Sequence, residues 1–204
     1  MGAKSMKFYA FRRISLTAAV LALAVAVGAP ALSATGGAQP LRMRDLLVIE
    51  KQGQLLAFGY LDSPFSAELV EALHGGVTTR FIFEMGLVRS RRFLYDAEVV
   101  SQRLVHQVKY DALKKAYTFS VLRNGEEPTQ KITQSRQELT DWMSELNGVP
   151  IAQLRELDPS YNYYLRVRAK VNSVDFAFPF NYLLAFLGQK TEWAYSPTFG
   201  ANGM

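Results

Sequence analysis

The chain has 204 residues, of which 49% are hydrophobic and 20% are charged. This composition is typical of a globular protein and excludes disorder along the whole chain. The sequence contains no cysteine, which excludes disulfides, thiolate metal sites and thiol catalysis. Its two histidines, His74 and His106, are too few for a multi-histidine metal site. We therefore expect no bound cofactor or metal.

The N-terminus has the layout of a secretory signal peptide. Basic residues precede an apolar stretch over 14–27, and Gly28 and Pro30 are followed by small residues up to Ala34. This order predicts a signal peptide over 1–34, a linker over 35–40, a single β-rich domain over 41–204 and a periplasmic location. The alternative is an uncleaved inner-membrane anchor, because residues 14–32 are long enough to span a bilayer.

The net charge of +5 belongs mostly to this leading segment. Four of the 23 basic residues and none of the 18 acidic residues lie before residue 35. The rest of the chain therefore has 19 basic and 18 acidic residues, a net charge of +1. A nearly neutral domain gives no electrostatic basis for binding nucleic acid, and we expect none.

The first half of the domain is predicted to contain strands and one helix. Apolar runs over 43–50 and 54–61 favour a hairpin with a three-residue loop. Ser63 and Pro64 are typical of a helix start, and Gly75 with Gly76 is typical of its end. Alternation of apolar and polar residues then predicts strands over 79–87, 100–110 and 117–121. Residues 130–132 are expected to pair back after a turn at Asn124.

The second half is predicted to contain two helices and one clear strand. Ser135 and Glu138 form a capping-box pattern, and Gly148 and Pro150 are typical helix-ending residues. A short helix beginning at Pro150 is predicted to continue through 157. Strict alternation over 161–171 predicts the last long strand.

Long alternating strands without a regular strand–helix–strand rhythm favour a mainly β fold. We predict an antiparallel β-sandwich or strongly curved sheet with two or three short helices. An α+β fold with helices on one sheet face is the alternative.

No catalytic motif is present in the sequence, which favours a non-enzymatic protein. His106 lies on the apolar side of its predicted strand, as expected of a hydrogen-bonded core histidine. His74 lies at a helix end, where a cation interacts favourably with the helix dipole and carbonyls.

Two features are candidates for binding. Clustered arginines would form one positive patch for anionic head groups or an acidic partner if their strands are neighbours. The alternative is a solvated strand face balanced by nearby acids. The aromatic segment 176–193 is either core or an exposed contact surface. Together these features give the candidate binding residues Arg89, Arg91, Arg92, Arg166, Arg168 and Trp193, with Lys170 extending the patch.

Several landmarks resemble a bacterial family of exported proteins known as domain of unknown function 4390. The most specific is Tyr-Asp-x-Leu-x-x-x-Tyr over 110–117, and Thr-Glu-Trp over 191–193 and Ser-Pro over 196–197 also match. The resemblance spans nearly the whole mature chain. It implies a small exported proteobacterial protein, with no activity or catalytic residues to carry over. It also implies genes near a membrane sensor kinase.

These observations favour a periplasmic, non-enzymatic interaction domain that binds another envelope protein, such as the extracytoplasmic part of an inner-membrane sensor kinase. Strand addition at a sheet edge is a natural binding mode for such a fold, and peripheral membrane contact is compatible with it. The alternative is a module that binds a lipid or another apolar small molecule of the envelope.

Overall fold

A computed structural model describes residues 41–62, 64–123, 128–173 and 189–202. The predicted signal peptide and linker, the turn at Asn124 and most of the aromatic segment lie outside these residues. Among the described residues, the helices are all too short or too polar to cross a membrane.

Strands dominate the described chain. The elements in chain order are β1 (Arg42–Lys51), β2 (Gln54–Asp62), α1 (Ala67–His74), β3 (Thr79–Ser90), β4 (Ala97–Asp111), β5 (Ala116–Arg123), β6 (Thr129–Thr133), α2 (Arg136–Ser144), β7 (Glu145–Gln153), a 3₁₀ helix (Leu154–Glu156), β8 (Asn162–Ser173), β9 (Ala194–Tyr195) and β10 (Phe199–Gly200). All of them belong to one compact unit.

The strands form two antiparallel sheets. The smaller sheet has the order β1-β2-β7. The larger has the order β10-β8-β3-β4-β5-β6, and β9 also pairs with β8. The prediction of a mainly β, sandwich-like antiparallel fold with few helices is confirmed.

One apolar core joins the two sheets. Alternation along β3 and β8 turns every second side chain inward, so that large residues such as Phe81, Phe83 and Leu165 are fully buried. The smaller sheet contributes to the same core through Leu55 and Ala57 of β2. The residues that alternate with these buried ones along β3 and β8 project away from the core. Polar side chains of the two strands therefore share one outer face.

Two boundaries in the first half differ from the sequence-based prediction. The β1–β2 hairpin is present, but Lys51 pairs with Gln54, so the loop has two residues rather than three. Helix α1 begins at Ala67 rather than at Pro64. Ser66 is the N-cap, because its side chain accepts a hydrogen bond from the backbone N–H of Leu69.

The predicted end of the second helix is wrong. Helix α2 ends at Ser144, and the chain continues directly into β7, an edge strand of the smaller sheet. Gly148 has a φ of 67°, and Pro150 lies next to a register shift against β2. Proline is tolerated on edge strands and at bulges, so these two residues interrupt the pairing without ending the strand. The predicted helix over 150–157 is reduced to the 3₁₀ turn Leu154–Glu156.

Candidate functional site

Three of the predicted binding residues meet on the outer face of the larger sheet. Arg166 and Arg168 alternate with buried residues along β8, so both side chains project outward. The ring of Trp193, which precedes β9, lies against both of them. Its centroid is 4.7 Å from the guanidinium carbon of Arg166 and 4.5 Å from that of Arg168. Both contacts are cation–π interactions, and they hold the indole against the two arginines.

Two buried hydroxyl groups fix the segment that carries Trp193. Thr191 accepts a hydrogen bond from the N–H of Ala169 at 2.9 Å and donates its own N–H to the Ala169 carbonyl at 2.8 Å. Ser196 makes the same pair of bonds to Leu165, at 2.9 and 2.8 Å. Because both clamps act on β8, they set the position of Trp193 relative to the two arginines.

Two glutamates neutralise the arginines. Nη2 of Arg166 lies 2.7 Å from Oε2 of Glu98, and Nη2 of Arg168 lies 2.5 Å from Oε2 of Glu84. All four side chains are about one-third exposed, so each pair contributes about 0–1 kcal/mol to stability. In this part of the predicted basic patch, nearby acidic residues therefore balance the arginines. This arrangement is the alternative to a positive patch that the sequence left open. We refer to Trp193, Arg166, Arg168, Glu84 and Glu98 as the Trp193 cluster.

An open hollow of about 350 Å³ lies within the Trp193 cluster. Gly86 lies beneath it, since a Cβ at this position would overlap Oε2 of Glu98 and lie 3.2 Å from Nε of Arg166. Arg103 also lines the hollow and has no ion-pair partner among the described residues. Within the described part of the chain, the hollow thus offers the unpaired guanidinium of Arg103 beside two that are already neutralised.

Two tyrosines extend the Trp193 cluster along the sheet. The rings of Tyr164 and Tyr195 are 5.9 Å apart, and Tyr195 is 59% exposed. The hydroxyl of Tyr164 donates a hydrogen bond to Asp96 at 2.9 Å. Partial burial and this bond raise the pKa of Tyr164, so it stays a neutral donor.

The other three predicted binding residues lie elsewhere. Arg89 pairs in register with the buried Tyr163, so it projects on the core side of β3, and its guanidinium lies 4.6 Å from the ring centroid of Tyr161. Arg91 and Arg92 belong to the connection between β3 and β4. Although β3 and β8 are neighbours, the expected single positive patch is not formed, because the arginines occupy two separate places.

The connection over 91–96, which we call the 91–96 loop, carries a feature that sequence analysis missed. Phe93, Leu94 and Tyr95 are 91%, 71% and 98% exposed. Arg91 and Arg92 precede them directly, and the hydrogen bond from the Arg91 N–H to Asp96 closes the loop at 2.9 Å. The sequence signal that could have predicted this exposed tip is the run of three large residues directly after two arginines.

A second apolar surface lies on the smaller sheet. Leu47 and Ile49 of β1 are exposed and pair across the strands with Phe58 and Leu56 of β2, and Tyr60 continues the row. The uninterrupted apolar runs in both strands were the available signal, because they place apolar residues on both faces.

Both histidines have structural partners. His106 is buried, and its Nδ1 donates a hydrogen bond to the Met143 carbonyl at 3.1 Å, which confirms the core assignment. Burial lowers its pKa to about 4. His74 lies in the last turn of α1, but its Nε2 is bonded to the Tyr117 hydroxyl at 2.7 Å instead of to a helix carbonyl. The described residues contain no group of three or more acidic or histidine side chains able to hold a metal.

Comparison with known proteins agrees with the resemblance noted in the sequence. A family model described as domain of unknown function (DUF4390) matches residues 38–198. No curated protein and no solved structure matches the chain significantly.

Proposed function

We propose that this chain, which belongs to the DUF4390 family, is an exported, non-enzymatic interaction domain. In this proposal it binds another protein of the bacterial envelope, of which the extracytoplasmic part of a membrane sensor kinase is one example. The observation that carries the proposal is the indole of Trp193, held against both Arg166 and Arg168 on a solvent-facing sheet surface.

The composition of this surface supports protein binding. Binding energy at protein interfaces is concentrated in tryptophan, tyrosine and arginine. The outer face of the larger sheet brings all three types together, with Tyr164 and Tyr195 beside the Trp193 cluster. Stacking and backbone hydrogen bonds already hold the side chain of Trp193 in place. Binding a partner would therefore cost little conformational entropy of this side chain.

The charges of the cluster favour binding over acid–base chemistry. Glu84 and Glu98 are the two carboxylates at the hollow, and each accepts a hydrogen bond from an arginine. Arg103 has no ion-pair partner among the residues that the structure describes, so a partner with a carboxylate and an aromatic or apolar side chain fits the hollow best.

Export is supported by the sequence. Residues 1–34 have the basic, apolar and small-residue order of a signal peptide, and the chain has no cysteine that would require oxidation after export. The alternative of a module for an apolar ligand has weaker support. A hollow of about 800 Å³ at the 91–96 loop is open to solvent, and Arg91, Arg92 and polar residues line it together with Phe93 and Leu94, so it is not an enclosed apolar pocket.

Site-specific photo-cross-linking in living cells tests the proposal. A photoreactive amino acid replaces Tyr195 beside the Trp193 cluster, or Ile49 on the smaller sheet as a matched exposed control. We expect a discrete cross-linked envelope protein from position 195 and none from position 49. We also expect the product at position 195 to disappear in the Trp193→Ala variant.

Two outcomes would overturn this proposal. One is a product from position 49 alone, which would assign binding to the smaller sheet. The other is the absence of any specific product at position 195 in cells that contain the folded protein.

A further inference from the structure

The 91–96 loop has a chemistry that the Trp193 cluster does not share. Its tip presents Phe93, Leu94 and Tyr95 to solvent, with Arg91 and Arg92 immediately behind them. We propose that this loop docks the protein on an anionic lipid bilayer. In the docked state the three apolar side chains enter the membrane interface, and the arginines contact lipid phosphates. This inference goes beyond the proposed binding of a protein partner, and the loop shares no residue with the Trp193 cluster.

The exposure of the tip is the first argument. Soluble proteins rarely expose consecutive large apolar side chains unless these meet a partner or a membrane. Leucine and phenylalanine partition into the hydrocarbon boundary, and tyrosine is favoured at the level of the head groups. The order arginine, arginine, phenylalanine, leucine, tyrosine therefore places basic residues at the head groups and Phe93 and Leu94 at the acyl chains, with Tyr95 back at the head-group level.

The shape of the loop favours a bilayer over a protein partner. A stable protein interface buries about 800 Å² on each side, which is more than three side chains at a narrow hairpin tip provide. Insertion into a lipid interface needs only a few apolar side chains with basic residues beside them.

The surroundings of the loop supply places for phosphate groups. An open hollow of about 800 Å³ lies between the loop, including Phe93 and Leu94, and residues 160–162, and its polar lining of Arg91, Arg92, Ser160 and Asn162 offers several hydrogen-bond donors. The loop's carboxylate, that of Asp96, is turned toward the sheet by its bonds to Arg91 and Tyr164. The one acidic side chain of the loop is therefore engaged by hydrogen bonds, and Arg92 is exposed beside the apolar tip.

The absence of cysteine allows a direct test on the full chain. The variant Leu94→Cys is labelled with an environment-sensitive fluorophore. Leu113→Cys is the matched control, because Leu113 is 97% exposed, is followed by Lys114 and Lys115, and lies beyond the opposite end of β4. The probes are vesicles of phosphatidylglycerol and phosphatidylcholine in equal parts, and vesicles of phosphatidylcholine alone.

We expect a blue shift of the label at position 94 on the anionic vesicles and no shift at position 113. We also expect Arg91→Gln combined with Arg92→Gln to weaken the response about tenfold or more. Because the readout is local, membrane attachment through the apolar stretch 14–27 does not produce it. An unchanged spectrum at position 94, equal shifts at both positions, or an equal response to neutral vesicles would overturn the inference.

Discussion

The carboxylate of Glu98 lies 2.7 Å from the guanidinium of Arg166, and the two side chains meet over the backbone of Gly86. Glycine in the middle of a strand is unfavourable for stability unless another group must approach the backbone closely. Here the approaching group is the ion pair itself. The missing side chain of Gly86 lets Glu98 and Arg166 lie close to the backbone of β3. The cluster thus depends on three strands, because Gly86 belongs to β3, Glu98 to β4 and Arg166 to β8.

The variant Gly86→Ala is expected to move this ion pair without unfolding the protein. The nearest obstacle to a Cβ is the flexible end of Glu98, so the side chain shifts and the backbone stays in place. We expect the free energy of unfolding to change by less than about 1 kcal/mol. The emission of Trp193 should change, because Arg166 moves relative to its ring.

The measurement is fluorescence in a Trp142→Phe background, which leaves Trp193 as the single tryptophan. Gly200→Ala is the control, since its Cβ would meet only Asn162 at an ordinary 3.4 Å. Unchanged Trp193 emission in the Gly86 variant would contradict the arrangement of the cluster.

Stability is expected to depend on pH through His106. Burial lowers its pKa in the folded protein to about 4, whereas the unfolded value is 6.5. The unfolded chain therefore binds more protons between these values, and the free energy of unfolding falls as the pH decreases from about 6.5 to 4. The total loss from this group is about 3 kcal/mol.

Denaturant unfolding of the wild type and of His106→Leu over this pH range measures the effect. The difference between the two proteins isolates His106, because the contributions of groups that both proteins share cancel. We expect the variant to lose the steep part of the pH dependence. Parallel curves for the two proteins would exclude His106 as the source.

Part of the Trp193 cluster could be predicted from local pattern. Arg166 and Arg168 alternate with residues that are buried, and alternation alone places them together on an outer face. Their partners could not be predicted in this way. Glu84 is 84 residues from Arg168 in the chain, and only the pairing of β3 with β8 brings them together.

The missed strand has a similar origin. Gly148 and Pro150 are helix-ending residues in isolation, but in β7 they lie at irregular points of an edge strand. Whether such residues end an element depends on whether a neighbouring strand requires their hydrogen bonds. That neighbour, β2, lies far earlier in the sequence.

The start of α2 should depend on a three-residue hydrogen-bond relay. Ser135 accepts from the N–H of Glu138 at 3.2 Å, as in a capping box. The return bond is indirect, because Thr133 accepts from the Ser135 N–H at 2.9 Å and donates to the Glu138 carboxylate at 2.5 Å. We expect Ser135→Ala and Thr133→Val each to reduce the free energy of unfolding by about 1 kcal/mol.

The double variant distinguishes a relay from two independent bonds. In a relay the two losses are coupled, so the double variant should lose less than the sum of the single variants. Additive losses in denaturant unfolding would show that Thr133 does not take part in the cap.

The two hydroxyl clamps on β8 are expected to hold Trp193 in place. Thr191→Val keeps the shape of the side chain but leaves the N–H of the buried Ala169 without its acceptor. An unpaired buried donor costs about 1–3 kcal/mol, and we expect the free energy of unfolding to fall by that amount. Thr140→Val is the control, since its hydroxyl donates to the Arg136 carbonyl in an exposed part of α2, and its loss should cost less than about 0.5 kcal/mol.

Loss of either clamp should also increase the mobility of Trp193 on the proposed binding surface. Ser196→Ala removes the equivalent acceptor for the N–H of Leu165, so both variants loosen the segment that carries Trp193. In the Trp142→Phe background we expect increased acrylamide quenching of Trp193 at temperatures where the protein remains folded. Reduced stability with unchanged quenching would mean that the stacking on Arg166 and Arg168 alone positions the indole.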